Sequence, residues 1–256
     1  MIHLSSNQLL LWINSFLWPL TRILGMLAVA PIVGSAAIPV PIKISFGVAL
    51  AALVAPTLTN VPLIDPVSVE GMVITAQQVI IGTAMGFTLQ IAFACVDMAG
   101  ELISMSMGLG FASFYDPQTK ASTPALGQFL TLLATILFLS LNLHLVMIST
   151  LVESFTKLPI GGNLHDHASL WLHLVSTAAV IFSSGVQLAL PIIAALLVTN
   201  IALGILTRAA PQLNLFGIGF PITMSVGFIM LLILIPYLAK PIQLIFEIGL
   251  QNTALH

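Results

Sequence analysis

The sequence predicts an all-α protein of the integral membrane type. Three observations carry that prediction: very little charge, long uninterrupted apolar runs, and prolines crowded around those runs. Charged residues make up 5% of the chain and hydrophobic residues 59%, with a mean hydropathy of +1.14. A soluble domain carries about 25% charged residues. Six Lys/Arg and eight Asp/Glu cannot cover the water-facing surface of 256 residues. The remaining apolar surface must face lipid or partner subunits. A formal net charge of −2 offers no attraction to nucleic acid.

Six segments, 9–29, 42–58, 72–96, 126–151, 178–206 and 220–238, are apolar over roughly the 20 residues that span a bilayer. Their runs are continuous rather than alternating, which predicts helices and not the strands of a barrel. Ala28-Val29-Ala30 resembles a cleavage site, but no Lys or Arg precedes the first run and Arg22 interrupts it. The first segment is therefore expected to be retained. Pro31, Pro39, Pro41, Pro56, Pro191, Pro221, Pro236 and Pro241 lie at segment ends or within them, so several helices are expected to kink. Kinked apolar helices are tolerated where protein covers them. Between the segments lie polar stretches at 59–71, 97–125, 153–176 and 207–219. Lys43, Lys120 and Arg208 against Lys157 and Lys240 favour an N-terminus outside, with Arg22 able to snorkel inward.

Groups that could carry chemistry are few. Cys95, the single cysteine, excludes an intrachain disulfide and reads as a buried thiol. His165, His167 and His173 read as a solvated loop, because no further ligand set accompanies them. His144 reads as a hydrogen-bonding group at a helix contact, with a proton relay as the sharper alternative. Asp97 and Glu101, four residues apart, share a face if helical and are counted with Arg22 as polar groups expected in buried positions. Arg22 within an apolar segment requires a carboxylate or backbone carbonyl as partner. Residues 105–117 hold Met105, Met107, Gly108, Leu109, Gly110, Phe111, Phe114, Tyr115, Asp116 and Pro117. A pliable apolar loop of this kind could close a pore by dewetting. A helix end followed by a packed loop has the same composition.

Motifs along most of the chain resemble the FliR/SctT family of type III export-gate proteins, and its flagellar branch most closely. The likeness rests on Trp18-Pro-Leu-Thr-Arg22, Ala30-Pro31, Ile38-Pro39, Gln77-Gln78, Ile81-Gly82, Gly86-Phe87 and Ala99-Gly-Glu101. It continues through Met107 to Ala112, Asp116-Pro117, Leu158-Pro-Ile-Gly161 and Leu188-Ala-Leu-Pro191. Asn200 to Gly204, Arg208 to Asn214 and Ile218-Gly-Phe-Pro221 complete it.

The resemblance implies a core subunit that forms, with FliP and FliQ, the channel through which unfolded flagellar subunits leave the cell. FlhB and FlhA would associate with that core. It implies a FliP-like part over 1–176 and a FliQ-like hairpin with tail over 177–256, turning near 207–217. It makes 105–117 the plug of the pore, and Arg208, Pro211, Gln212 and Asn214 a cytoplasmic turn used for subunit contact. The implied location is the bacterial inner membrane at the flagellar basal body. No enzyme activity and no cofactor are implied. A homologous injectisome subunit is the alternative. A six-span permease is a weaker one, because Asp97, Glu101 and His144 are too few for a relay. An intramembrane enzyme would need a nucleophile with a base or a metal motif such as H-E-x-x-H, and no such motif is present.

Overall fold

A computed structural model of the chain describes residues 6–58, 61–109, 125–162, 168–210 and 215–253. All regular structure among them is helical: α1 Ser6–Val29, α2 Val40–Val54, α3 Val69–Ser106, α4 Ala125–Ser140, α5 Leu143–Lys157, α6 Ala168–Ala209 and α7 Leu215–Thr253. A short 3-10 turn, Ala55–Thr57, extends α2. Among the described residues, five helices are long and apolar enough to cross a membrane, and α4 with α5 makes a sixth candidate as one bent pair.

The local chemistry explains the boundaries. Helix α3 starts at Ser68, whose hydroxyl accepts the Gly71 N–H at 3.1 Å while Asp65 accepts the Val67 N–H at 3.0 Å. These bonds satisfy donors that a helix start leaves free. Pro39 and Pro41 stand at the start of α2, where a missing N–H costs nothing. The segment 126–151 is two helices instead of one. The break falls at Asn142, whose backbone is left-handed with φ of 55°. Asn tolerates that conformation better than most residues. The prolines behave differently from this break: Pro19, Pro191, Pro221, Pro236 and Pro241 all stand inside continuous helices.

Three helices outrun their sequence-predicted limits. Helices α3, α6 and α7 have 38, 42 and 39 residues, or about 57–63 Å at 1.5 Å per residue. The hydrocarbon core of a bilayer is about 30 Å thick. Helix α3 runs on through 97–106, the start of a polar stretch, because Val96, Ala99, Ile103 and Met107 extend the buried face past the two carboxylates.

The chain divides into two compact units. The first comprises Met1–Ile91, Asn142–Thr177 and Glu247–His256. Its core sets Trp18 and Met26 of α1, and Ala30 just past its end, with Ile74, Ile81, Met85 and Leu89 of α3 and Met147, Leu151 and Phe155 of α5. Intervals of four, seven and eight place each set on one helix face. Helices α1 and α3 meet backbone to backbone. A β-carbon at Gly82 would collide with the Arg22 carbonyl, and one at Gly86 would fall 2.7 Å from the Met26 carbonyl oxygen. Small residues four apart permit this close approach.

The second unit comprises Ala92–Leu141 and Ala178–Phe246. Its core includes a ring cluster of Phe93, Phe138 and Phe246 with centroids 4.8–5.6 Å apart. Edge and tilted contacts of this kind suit the quadrupoles of the rings. Gly100 and Gly127 bring α3 against α4, since a β-carbon on Gly100 would lie 2.5 Å from the Gly127 Cα.

Candidate functional site

In the first unit, the buried polar centre is Arg22, which is 0% exposed. It donates from Nε to the Gln78 amide oxygen at 2.8 Å. Its Nη1 donates to the Ser154 carbonyl at 2.9 Å and the Ser154 hydroxyl at 3.1 Å, and Nη2 donates to the Leu158 carbonyl at 2.8 Å. The guanidinium carbon lies 4.3 Å from the centre of the Phe155 ring. Ser154 and Leu158 lie at the end of α5; the Leu158 carbonyl is one of those that a helix C-terminus leaves free, while the Ser154 carbonyl accepts Arg22 in addition to the Leu158 N–H, at 2.9 Å. The negative end of the helix dipole favours a cation there. Arg22 does not snorkel. Its partners are two main-chain carbonyls, an amide, a hydroxyl and a ring face, with no carboxylate among them.

Asn14, also 0% exposed, donates from Nδ2 to the Pro62 carbonyl at 3.0 Å and the Ile64 carbonyl at 2.8 Å. It ties the segment before α3 to α1. Lys43 Nζ donates to the carbonyls of Gly34 and Ser35, both at 2.9 Å, and so closes the turn between α1 and α2. Both groups anchor the chain within the first unit.

Asp97 and Glu101 correct the expectation of burial, because both are exposed. The buried arc of α3 here runs through Val96, Ala99, Ile103 and Met107. At 100° per residue, Asp97 falls at the edge of that arc and Glu101 beyond it. Asp97 leans toward the first turn of α4, where a β-carbon on Gly127 would lie 2.7 Å from Oδ1. His144 is half-buried, and its Nδ1 has no hydrogen-bond partner among the described residues.

The end of α3 is the second region of interest. Met105 is 66% exposed, whereas Met107 is fully buried. The Met107 side chain lies over Gly227 of α7, whose β-carbon would fall 2.6 Å from Met107 Cγ. Gly108 leaves the helix with φ of +84°, a conformation that costs glycine little. A β-carbon there would also lie 2.7 Å from the Phe220 ring. The Thr223 hydroxyl points to the carbonyls of Phe220, at 3.0 Å, and Met107, at 3.5 Å. Beside these contacts is an open cavity of about 360 Å³, bordered by Met105, Gly108, Asn200, Gly204, Phe220 and Thr223. Leu109 is half-buried. Gly110, Phe111, Phe114, Tyr115, Asp116 and Pro117 lie outside the described residues.

Arg208 is exposed in the last turn of α6, and Pro211, Gln212 and Asn214 lie outside the described residues. His165 and His167 also lie outside them. Among the described residues, no three His, Cys, Asp or Glu gather as metal ligands. Cys95 is buried, with its thiol 3.6 Å from the Val180 carbonyl. Sequence reasoning missed Gln78, Ser154 and Leu158 as partners of Arg22. Gln78 carried a usable signal, being an amide inside an apolar run. Ser154 and Leu158 lie 132 and 136 residues from Arg22, and no local pattern links them.

The order of these features along the chain matches a known family. The family model for bacterial export proteins, family 1, matches residues 13–248. The flagellar biosynthetic protein FliR of Escherichia coli (strain K12) is 41% identical over 250 residues, covering 96% of this chain and 94% of that protein. The chain belongs to the FliR family. The FliR of Pectobacterium carotovorum is 43% identical over 239 residues, covering 92% of this chain and 90% of its own length. The FliR of Bacillus subtilis is 27% identical over 249 residues, covering 96% and 95%. The family match takes in Arg22 with its partners, the end of α3, and residues 208–214. The chain is thus a bacterial export protein of the flagellar-biosynthesis kind, with the apolar helices of a membrane protein.

Proposed function

We propose that the chain is a core subunit of the flagellar type III export gate. In this reading it forms with FliP and FliQ the channel for unfolded flagellar subunits and associates with FlhB and FlhA. It acts by conducting protein, not by catalysis, in the bacterial inner membrane at the flagellar basal body. The observation that carries the reading is the near full-length match to FliR proteins. A second supports it. Helices α6 and α7 are about twice as long as a bilayer core is thick. Helix α7 exposes Ile218, Phe228, Leu232, Tyr237, Leu244 and Ile248, apolar residues spread over about 45 Å of its length. Apolar surface that extends beyond lipid needs a protein cover.

Within this reading, residues 1–176 are the FliP-like part and 177–256 the FliQ-like hairpin. Residues 105–117 are the plug of the pore. An idle pore must hold back ions yet admit an unfolded chain, and apolar side chains expel water without binding passing residues strongly. Arg208, Pro211, Gln212 and Asn214 form the contact turn on the cytoplasmic side.

The test is co-expression of the tagged chain with FliP and FliQ, followed by native mass measurement of the purified material. One copy in a stable hetero-oligomer is the expected result. A folded monomer that ignores both proteins overturns the reading.

A further inference from the structure

The turn between α1 and α2 holds one residue in a conformation that it resists. Ile32 has φ of 69°, and the Val33 N–H donates to the Pro31 carbonyl at 2.8 Å. A three-residue turn with positive φ at its centre is the rare, strained form. A β-branched side chain adds to the strain, because Cβ crowds the backbone and has little freedom to turn away. Glycine would relieve it, yet the nearest glycine stands two residues later for a different reason. A β-carbon on Gly34 would lie 2.5 Å from the Ala30 carbonyl oxygen and 2.9 Å from that of Ala28.

Strain of this kind persists only where the surroundings over-determine it. On one side, the Gly34 N–H donates to the Ala30 carbonyl at 2.7 Å and the Ser35 N–H to the Ile32 carbonyl at 3.3 Å. On the other, Lys43 reaches back from the first turn of α2 to the Gly34 and Ser35 carbonyls, both at 2.9 Å. Lys43 is the one charged residue in α2, and the helix is otherwise lightly attached. Its buried residues are Gly47, Ala51 and Val54, a narrow stripe at intervals of four and three. Gly47 sits against Leu24 of α1.

We infer that residues 31–35 are a strained hinge and that Lys43 is its latch. While the ammonium holds the two carbonyls, α2 lies along α1. When it lets go, Ile32 returns to an ordinary φ and α2 swings away about the turn. An ammonium suits a latch. Its hydrogen bonds are about twice as strong as those of a neutral donor, and its flexible stem releases without breaking a helix. The inference stands apart from the export-gate reading and makes α2 a movable element of the first unit.

The experiment reads the separation of the two helices. Spin labels on Trp12→Cys and Leu53→Cys, exposed positions far from the turn, are placed in a Cys95→Ala background of the full chain in mild detergent. Lys43→Met is expected to raise the share of a longer distance several-fold. Adding Ile32→Gly to Lys43→Met should return the distribution to that of the unaltered chain, because the strain that drives opening is gone. An unchanged distribution in Lys43→Met overturns the inference, and so does a longer distance that survives Ile32→Gly. If Lys43→Met does not accumulate in membranes, the double variant decides. Restored accumulation supports the latch, and continued loss overturns it. The strain has a sign test of its own. Alanine ordinarily gives the more stable fold than glycine, but at positive φ the order reverses. Ile32→Gly is therefore expected to unfold at a higher temperature than Ile32→Ala, and the opposite order overturns the inference.

Discussion

The two regions that hold polar groups in apolar surroundings solve the same problem in opposite ways. Around Arg22, each guanidinium nitrogen finds an acceptor inside the first unit, and α1 meets α3 with no side chain between them at Gly82. Around Asn200 in the second unit, which is exposed, no hydrogen bond joins the amide to a described residue, and a β-carbon on Gly204 would find no heavy atom within 4 Å. A buried charge left unpaired costs several kcal/mol. A region that closes its own hydrogen bonds can therefore keep such a charge buried without help from outside the chain. The comparison teaches that self-sufficiency varies along one chain, and that it can be read from whether polar groups are satisfied locally.

The largest effect should come from breaking the closed region. Arg22→Leu leaves the Gln78 amide oxygen and the Leu158 carbonyl without their donor, and removes one donor from Ser154. The expected cost is about 3–5 kcal/mol, read as loss of folded chain in membranes and a lower unfolding temperature in detergent. Arg22→Lys should recover only part of it, because an ammonium cannot span acceptors set out for a planar fork. If Arg22→Leu unfolds at the same temperature as the unaltered chain, the cluster is not what holds α5.

Gly82→Ala tests the same region through packing alone. The added carbon collides with the Arg22 carbonyl, which is main chain and cannot turn aside. A loss of about 1–3 kcal/mol is expected, with no change in the pattern of partners recovered by the folded fraction. Wild-type stability would show that α1 and α3 are not held at this distance.

The open region should respond in function rather than folding. Shortening 108–115, or replacing Phe111 and Phe114 with Gly, is expected to leave the complex assembled but several-fold more permeable to ions. Ion flux in cells carrying the mutant gate, measured beside complex levels, reads this directly. Mutants that assemble normally and leak no more than the unaltered gate reduce the stretch to ordinary packing.

Asn14→Leu sharpens the comparison at smaller scale. It removes two hydrogen bonds to the Pro62 and Ile64 carbonyls, worth about 1–2 kcal/mol together. Faster proteolysis near those residues, with the rest of the chain resistant, is the expected readout. The smallest effect should be Arg208→Ala, which removes an exposed cation from the end of α6 at a cost of less than about 1 kcal/mol. Secretion should fall in degree. Complete loss of export with normal assembly would instead assign Arg208 to transport itself.

Composition and run length determined by themselves that the chain is helical and apolar enough for a membrane. Lipid offers backbone groups no hydrogen bonds, so long apolar runs have one open-chain solution. The order of short motifs was enough to indicate the family. The need of Arg22 for acceptors was equally legible, because a charge in an apolar run must be compensated. Only the tertiary structure decided which acceptors these are, since Ser154 and Leu158 reach Arg22 from more than 130 residues away. It also exposed Asp97 and Glu101. Charge spacing says that two residues share a face, but only packing says which face turns inward. The bend at Asn142 and the unbroken run of α7 through three prolines were likewise tertiary decisions. Local propensity differs by a few kcal/mol at most, and the burial of a whole helix face outweighs it.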